Sequence, residues 1–141
     1  MLQDTQRNHK TFEKKVYKKT KDPKLSYLRY IYGRQKCDAN PNHRNIEWNL
    51  TLEEWTNIVQ KNCFICGAEP TMKEGKVHKL IGTQVPINGV DRIDNNQGYI
   101  MSNVRSCCSK CNYMKHQLSD DEFRTHIKKI WSHNFANLQL C

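Results

Sequence analysis

Apolar positions in this chain recur in short runs, each flanked by residues that start or stop regular structure. Residues 7–35 are polar with scattered aromatics and read as helical in parts, with Pro23 interrupting and Gly33 available as a stop. The turn-formers Asp38, Asn40, Pro41 and Asn42 precede an alternating run, Ile46 to Leu50, that suits a short strand. Thr51-Leu52-Glu53-Glu54 is a capping box, in which the hydroxyl and the carboxylate satisfy each other's backbone N–H groups. It predicts a helix carrying Trp55, Ile58 and Val59 toward the core. Gly67 to Gly82 is charged and unpatterned, a loop whose Lys73, Lys76, His78 and Lys79 either contact a target or are simply solvated. Val85 to Ile93 predicts the first strand of a hairpin, Asn95 to Gly98 its turn, and Tyr99 to Val104 its return, before a helix from about Cys108 to His116. Ser119-Asp120-Asp121-Glu122 is a second capping box, leading a final helix whose Phe123, Ile127, Ile130 and Trp131 recur at helical spacing and read as core.

One hairpin among several helices predicts an α+β fold of 141 residues with a modest core, since only 37% of the chain is hydrophobic. A structural metal, contributing on the order of 10 kcal/mol of apparent binding free energy, would therefore matter to folding. The cysteines supply a candidate. Cys63-Phe64-Ile65-Cys66 and Cys108-Ser109-Lys110-Cys111 are two Cys-x2-Cys knuckles separated by enough chain for a hairpin, a spacing that suits one tetrahedral Zn²⁺. Cys107 could replace Cys108 in principle, but only Cys108 keeps the x2 spacing to Cys111. With seven cysteines, four of them in knuckles, metal binding in a reducing compartment is expected rather than a secreted disulfide framework.

The net charge of +9 is concentrated at one end: residues 1–36 hold 11 Lys or Arg against 3 acidic residues. Such a segment attracts polyanions, nucleic acid foremost, or is a solvated tail. The division expected is a basic DNA-binding arm at 1–36 and a zinc-bound domain at 37–141, with Lys14, Lys15, Lys18, Lys19, Arg44 and Lys115 as phosphate contacts. Lys115 could equally be an ordinary exposed lysine. No apolar leader opens the sequence and no run approaches the roughly 18 apolar residues of a membrane span, so a cytoplasmic or nucleoid-associated protein is expected.

Residues 89–115, GVDRIDNNQGYIMSNVRSCCSKCNYMK, bring the Asp91 carboxylate, the asparagines Asn103 and Asn112, a knuckle and Lys115 into one hairpin-to-helix segment. From about His43 to Lys115 the chain resembles the zinc-bound branch of the HNH, or ββα-metal, endonucleases. The resemblance implies a treble-clef-like, zinc-stabilised fold and hydrolysis of double-stranded DNA, with 5′-phosphate and 3′-hydroxyl ends. It implies Mg²⁺ or Mn²⁺ held by Asp91 and Asn112, with Asn103 bracing the loop. His116, one helical turn past Asn112, could be a third ligand or a surface histidine. The chain departs from the common pattern at Arg92, where most members carry the general-base histidine. Arginine cannot be that base at neutral pH, but its fork suits a scissile phosphate. The base would then be His43, alternatively an exposed loop histidine, or Tyr99, alternatively a packed turn residue. A non-catalytic zinc module that binds nucleic acid, and a zinc-scaffolded interaction protein that binds none, are the alternatives. A palindromic double-strand cutter would be a homodimer, whereas a nickase could act alone. Restriction, homing, phage interference and packaging share this core, whether the gene is cellular, phage or viral.

Overall fold

The computed structural model describes residues 22–72 and 82–135. Helix α1 is Pro23–Ala39, α2 is Leu52–Val59, strands β1 and β2 are Gly89–Arg92 and Val104–Cys107, α3 is Ser109–Lys115 and α4 is Asp120–Phe135. The fold is a mixture of helices with one small antiparallel sheet, in the α+β class.

Pro23 opens α1 rather than interrupting it. Its missing N–H falls where a helix has no acceptor to offer, and the Asp22 carboxylate caps the turn by accepting from the Lys24 N–H at 2.9 Å. Nor does Gly33 stop the helix, which runs six residues further with Gly33 buried inside it. The roughly 1 kcal/mol that a mid-helix glycine costs is outweighed by the packing of Tyr27 and Leu28 into the core. Helix α1 runs across residue 36, and its Tyr27 and Leu28 pack in the same core as α2 and the hairpin. Residues 1–21, with Lys14, Lys15, Lys18 and Lys19, lie outside the described residues.

The Thr51 capping box forms in both directions, at 2.8 Å from the Thr51 N–H to Glu54 and 3.2 Å from the Glu54 N–H to the Thr51 hydroxyl. It starts α2, which buries Trp55, Ile58 and Val59. Trp55 Nε1 donates to the Gln35 side chain at 2.8 Å, fastening α2 to α1. Around them the core closes with Leu50, Val85, Ile87, Val90 and Val104.

The hairpin is shorter and later than the apolar pattern suggests. Its register pairs Gly89 with Cys107, Val90 with Ser106, Asp91 with Arg105 and Arg92 with Val104. Tyr99 to Asn103 cannot serve as the return strand, because the backbone of Tyr99 is already taken: its N–H donates to Glu47 at 2.8 Å and its carbonyl accepts from Asn49 at 2.9 Å. Ile46 to Leu50 contributes only that single bridge, Trp48 with Tyr99, rather than a strand. The crossing is close enough that a Cβ on Gly98 would stand 2.6 Å from the Glu47 carbonyl oxygen, so glycine is required there. Val85 to Asn88 likewise stays out of β1, since the Ile87 and Asn88 N–H groups donate to Thr71 and Val59.

Helix α4 starts on its capping box, but only Phe123 is buried. Ile127, Ile130 and Trp131 are 39%, 43% and 54% exposed, so the helical spacing marks a face that is not packed into this core.

Candidate functional site

The two knuckles meet. In the first, Gly67 at φ 75° closes a tight turn whose N–H donates to the Cys63 carbonyl, and Phe64 N–H donates to Ser106, tying the knuckle to β2. In the second, Cys108 sits at the N-cap of α3, its sulfur accepting from the Cys111 N–H. The Sγ atoms of Cys63, Cys66, Cys108 and Cys111 all lie within 4.8 Å of one another. Cys66 and Cys108 sulfurs are 3.7 Å apart, far beyond the roughly 2.05 Å of a disulfide. Thiolates about 2.3 Å from a common zinc stand about 3.8 Å from each other, so the span fits one tetrahedral ion. Among the described residues this is the only cluster of three or more His, Cys, Asp or Glu side chains with that convergence, and it could hold a metal such as zinc. Burial opposes ionisation of Cys63, but backbone N–H groups of Cys108, Cys66 and Ile65 outweigh it and pull the thiol down to about 6. Cys111 is pushed up by burial and by its neighbours Cys66 and Cys108. Cys107, fully buried, packs against the cluster without joining it.

Beside the cluster lies a buried network of charges. Asp91 of β1 and Arg105 of β2 face each other across the ladder, and Arg105 Nε and Nη2 donate to Asp91 Oδ2 at 3.0 and 2.9 Å. The guanidinium also forks onto Asp120 at the start of α4 and lies 4.8 Å over the Phe64 ring. Lys115, at the end of α3, is 0% exposed; its Nζ donates to Asp91 Oδ1 at 3.3 Å and to the Arg92 carbonyl at 3.1 Å. It is therefore not a surface phosphate contact, because its charge is spent inside the fold. Hydrogen bonds to Asp120 foremost, opposed by burial and aided by Asp91, hold Arg105 above the ordinary guanidinium range. The same fork holds Asp120 below the ordinary carboxylate range. The pairing of Arg105 with Asp91 and Asp120 was not legible, because the sequence pattern puts the return strand too early and ends it at Val104, one residue before Arg105.

On the other side of β1, a cleft of about 1010 Å³ opens between α1, β1 and α3. Arg34 and Asp38 of α1, Arg44 after it, and Arg92 line one part, while Asn112, Tyr113 and His116 line another. Three arginines against one carboxylate make its wall basic. Arg92 Nη1 donates to the Asn95 and Gln97 carbonyls, and the guanidinium stacks 5.4 Å over the Tyr99 ring. Tyr99 in turn packs on Trp48 at 4.8 Å. Asn103 is buried and braces the loop between the strands: its amide donates to the Asp94 and Gly98 carbonyls and accepts from the Asp94 N–H. His116 terminates α3 at φ 49°, a left-handed value that costs a non-glycine residue about 1–3 kcal/mol. Arg92, Tyr99, Asn112 and His116 thus share one cleft. Asp91 and His43 are not among the residues that line it, Asp91 being turned into the network and His43 exposed in the turn beside Arg44.

No family model matches the chain. Over 99 residues it is 36% identical to an uncharacterized protein, R423, of Acanthamoeba polyphaga mimivirus, a match covering 68% of this chain and 16% of the viral protein. The chain thus spans about a sixth of that relative's length. Its structure is similar to the solved structure of the rare-cutting HNH restriction endonuclease PacI, with 23% identity, 72% of this chain and 77% of that chain covered, and a TM-score of 0.48. Among the described residues no helix is long and apolar enough to cross a membrane.

Proposed function

We propose that this protein is a zinc-stabilised ββα-metal endonuclease of the HNH type that binds double-stranded DNA in the arginine-walled cleft and hydrolyses a phosphodiester there. The observation that carries the reading is the convergence on that cleft of Arg92 and Asn112, two positions of the motif that the chain resembles, together with His116, on elements anchored by the four cysteines. Arg34 and Arg44 supply the positive charge that a DNA backbone requires. Arg92, held by two carbonyls and the Tyr99 ring, presents its remaining N–H groups to a phosphate in fixed orientation. Residues 1–36 would add affinity without sequence choice, since lysines contact phosphates and carry little base information. Deleting residues 1–21 should then lower the slope of affinity against salt, and an unchanged slope would refute that role.

The donors fit a hard divalent cation in kind: Asp91 and Asn112 offer oxygen, and His116 an imidazole. When bound, Mg²⁺ or Mn²⁺ would neutralise charge on the phosphate and its leaving oxygen. The proton of the attacking nucleophile would pass to a cleft-side group. Tyr99 stands on the wall, whereas His43 serves only if substrate extends past Arg44. One observation favours the second reading, a non-catalytic nucleic-acid-binding module: both Asp91 oxygens already accept hydrogen bonds from Arg105 and Lys115. Purified protein incubated with supercoiled plasmid in Mg²⁺, in Mn²⁺ and in EDTA decides between them. Cation-dependent nicking or linearisation with 5′-phosphate ends supports the nuclease, and binding without cleavage under all three conditions supports the module.

A further inference from the structure

Asn88 immediately precedes β1, is 1% exposed, and sends its amide into the loop that carries the first cysteine knuckle. Its Nδ2 donates to the Lys61 carbonyl at 2.9 Å and to the Ala68 carbonyl at 3.2 Å. Those carbonyls stand on either side of Cys63 and Cys66, so one side chain ties the entry of the loop to its exit. Neither carbonyl depends on the amide for a partner, because Lys61 also accepts from Ser106 Oγ at 2.8 Å and Ala68 from the Cys63 N–H at 2.8 Å. The other end of the amide is a liability. Asn88 Oδ1 is buried with no hydrogen-bond partner, a state that costs free energy and that an apolar side chain of the same size would avoid. What asparagine supplies in return is a cross-link, one N–H for each end of the loop.

Resting on the reading that the four cysteines hold zinc, we infer that Asn88 is a positioning residue for the metal centre, a clamp that keeps the first knuckle closed and so sets how fast the ion is released. The two knuckles are not equally secured. Cys108 and Cys111 belong to the start of α3, whereas Cys63 and Cys66 sit on a loop outside any helix or strand, with Cys66 exposed. Opening of that loop is therefore the route by which zinc leaves without unfolding the core, since local openings start where regular structure is absent. Groups outside the coordination sphere orient metal ligands and tune retention of the metal, and Asn88 does so here through the loop backbone. Its own N–H donates to the Val59 carbonyl at 2.7 Å, which fixes the clamp to the end of α2.

The test is the rate of zinc release from the whole zinc-loaded chain into an excess of a colorimetric chelator. Asn88→Leu keeps the volume, removes the unpartnered oxygen and leaves both carbonyls a donor, and it should release zinc about tenfold faster than the wild type or more. Leu28→Ala is the control. It opens a cavity in the core from α1, which makes none of the loop's bonds, so it should lower the urea midpoint while leaving release near the wild-type rate. Release from Asn88→Leu at the wild-type rate, or equally fast release from Leu28→Ala, overturns the inference while leaving the zinc reading standing. Wild-type protein that holds no zinc and takes none up removes the zinc reading and the inference with it. A measurement on the unaltered protein covers the case in which Asn88→Leu does not fold. The Asn88 side-chain amide protons should exchange slowly with solvent in the zinc-loaded protein, and exchange as fast as that of an exposed asparagine refutes the clamp.

Discussion

Arg105→Met tests whether the buried charge network holds the fold together. The guanidinium makes two bonds to Asp91, which is 4% exposed, and two to Asp120, whose side chain is 28% exposed. Removing it leaves Asp120 free to take up water, so that half of the loss is small, about 0–1 kcal/mol. Asp91 has no such recourse, because its carboxylate stays buried with only the 3.3 Å contact to Lys115. Breaking a buried pair by deleting one partner costs about 3–5 kcal/mol, and the surviving lysine places this case near 3. Domains of this size have only about 5–15 kcal/mol in all, so the variant should lose a large fraction of its stability. Urea unfolding of zinc-loaded protein measures it, as a fall in midpoint at unchanged slope. Combining Arg105→Met with Asp91→Leu and Lys115→Met should recover part of the loss, since only then does no unpaired charge remain buried. A single variant within 1 kcal/mol of the wild type would show that water or a rearranged Lys115 compensates, and the network would not have the structural role assigned to it.

Cys63→Ser should abolish cooperative unfolding as well as metal retention, and folded, metal-free protein by elemental analysis would sink the zinc assignment. His116→Gly relieves the left-handed backbone at the end of α3, so unfolding should become harder by about 1 kcal/mol while plasmid cleavage falls; a less stable variant refutes the strain. Asp120 is held below the usual carboxylate value by Arg105, so its stabilising contribution is complete above the ordinary range near about 3.9 and is lost as pH falls through its lowered folded value. In a series of unfolding curves taken down that range, Asp120→Asn should show a shallower acid loss than the wild type, and an equal loss would place the acid sensitivity elsewhere.

Features legible along the chain are those in which neighbouring residues satisfy one another. Both capping boxes could be read because the groups involved lie three residues apart and need nothing else. The cysteine knuckles were legible for the same reason within each pair, and the motif between residues 89 and 115 pointed to the elements that carry Arg92, Asn112 and His116. Apolar spacing was a weaker guide, since Ile127, Ile130 and Trp131 have helical periodicity and still face outward. Tertiary structure alone decided the hairpin register, because the backbone of Tyr99 was claimed by Glu47 and Asn49, fifty residues away in sequence. That register put Arg105 opposite Asp91, and the end of α3 delivered Lys115 to the same carboxylate, so a lysine expected at the surface became a buried ion-pair partner. A charged side chain's role depends on which partners the long-range packing brings within hydrogen-bond reach, and residue spacing carries no record of those distances.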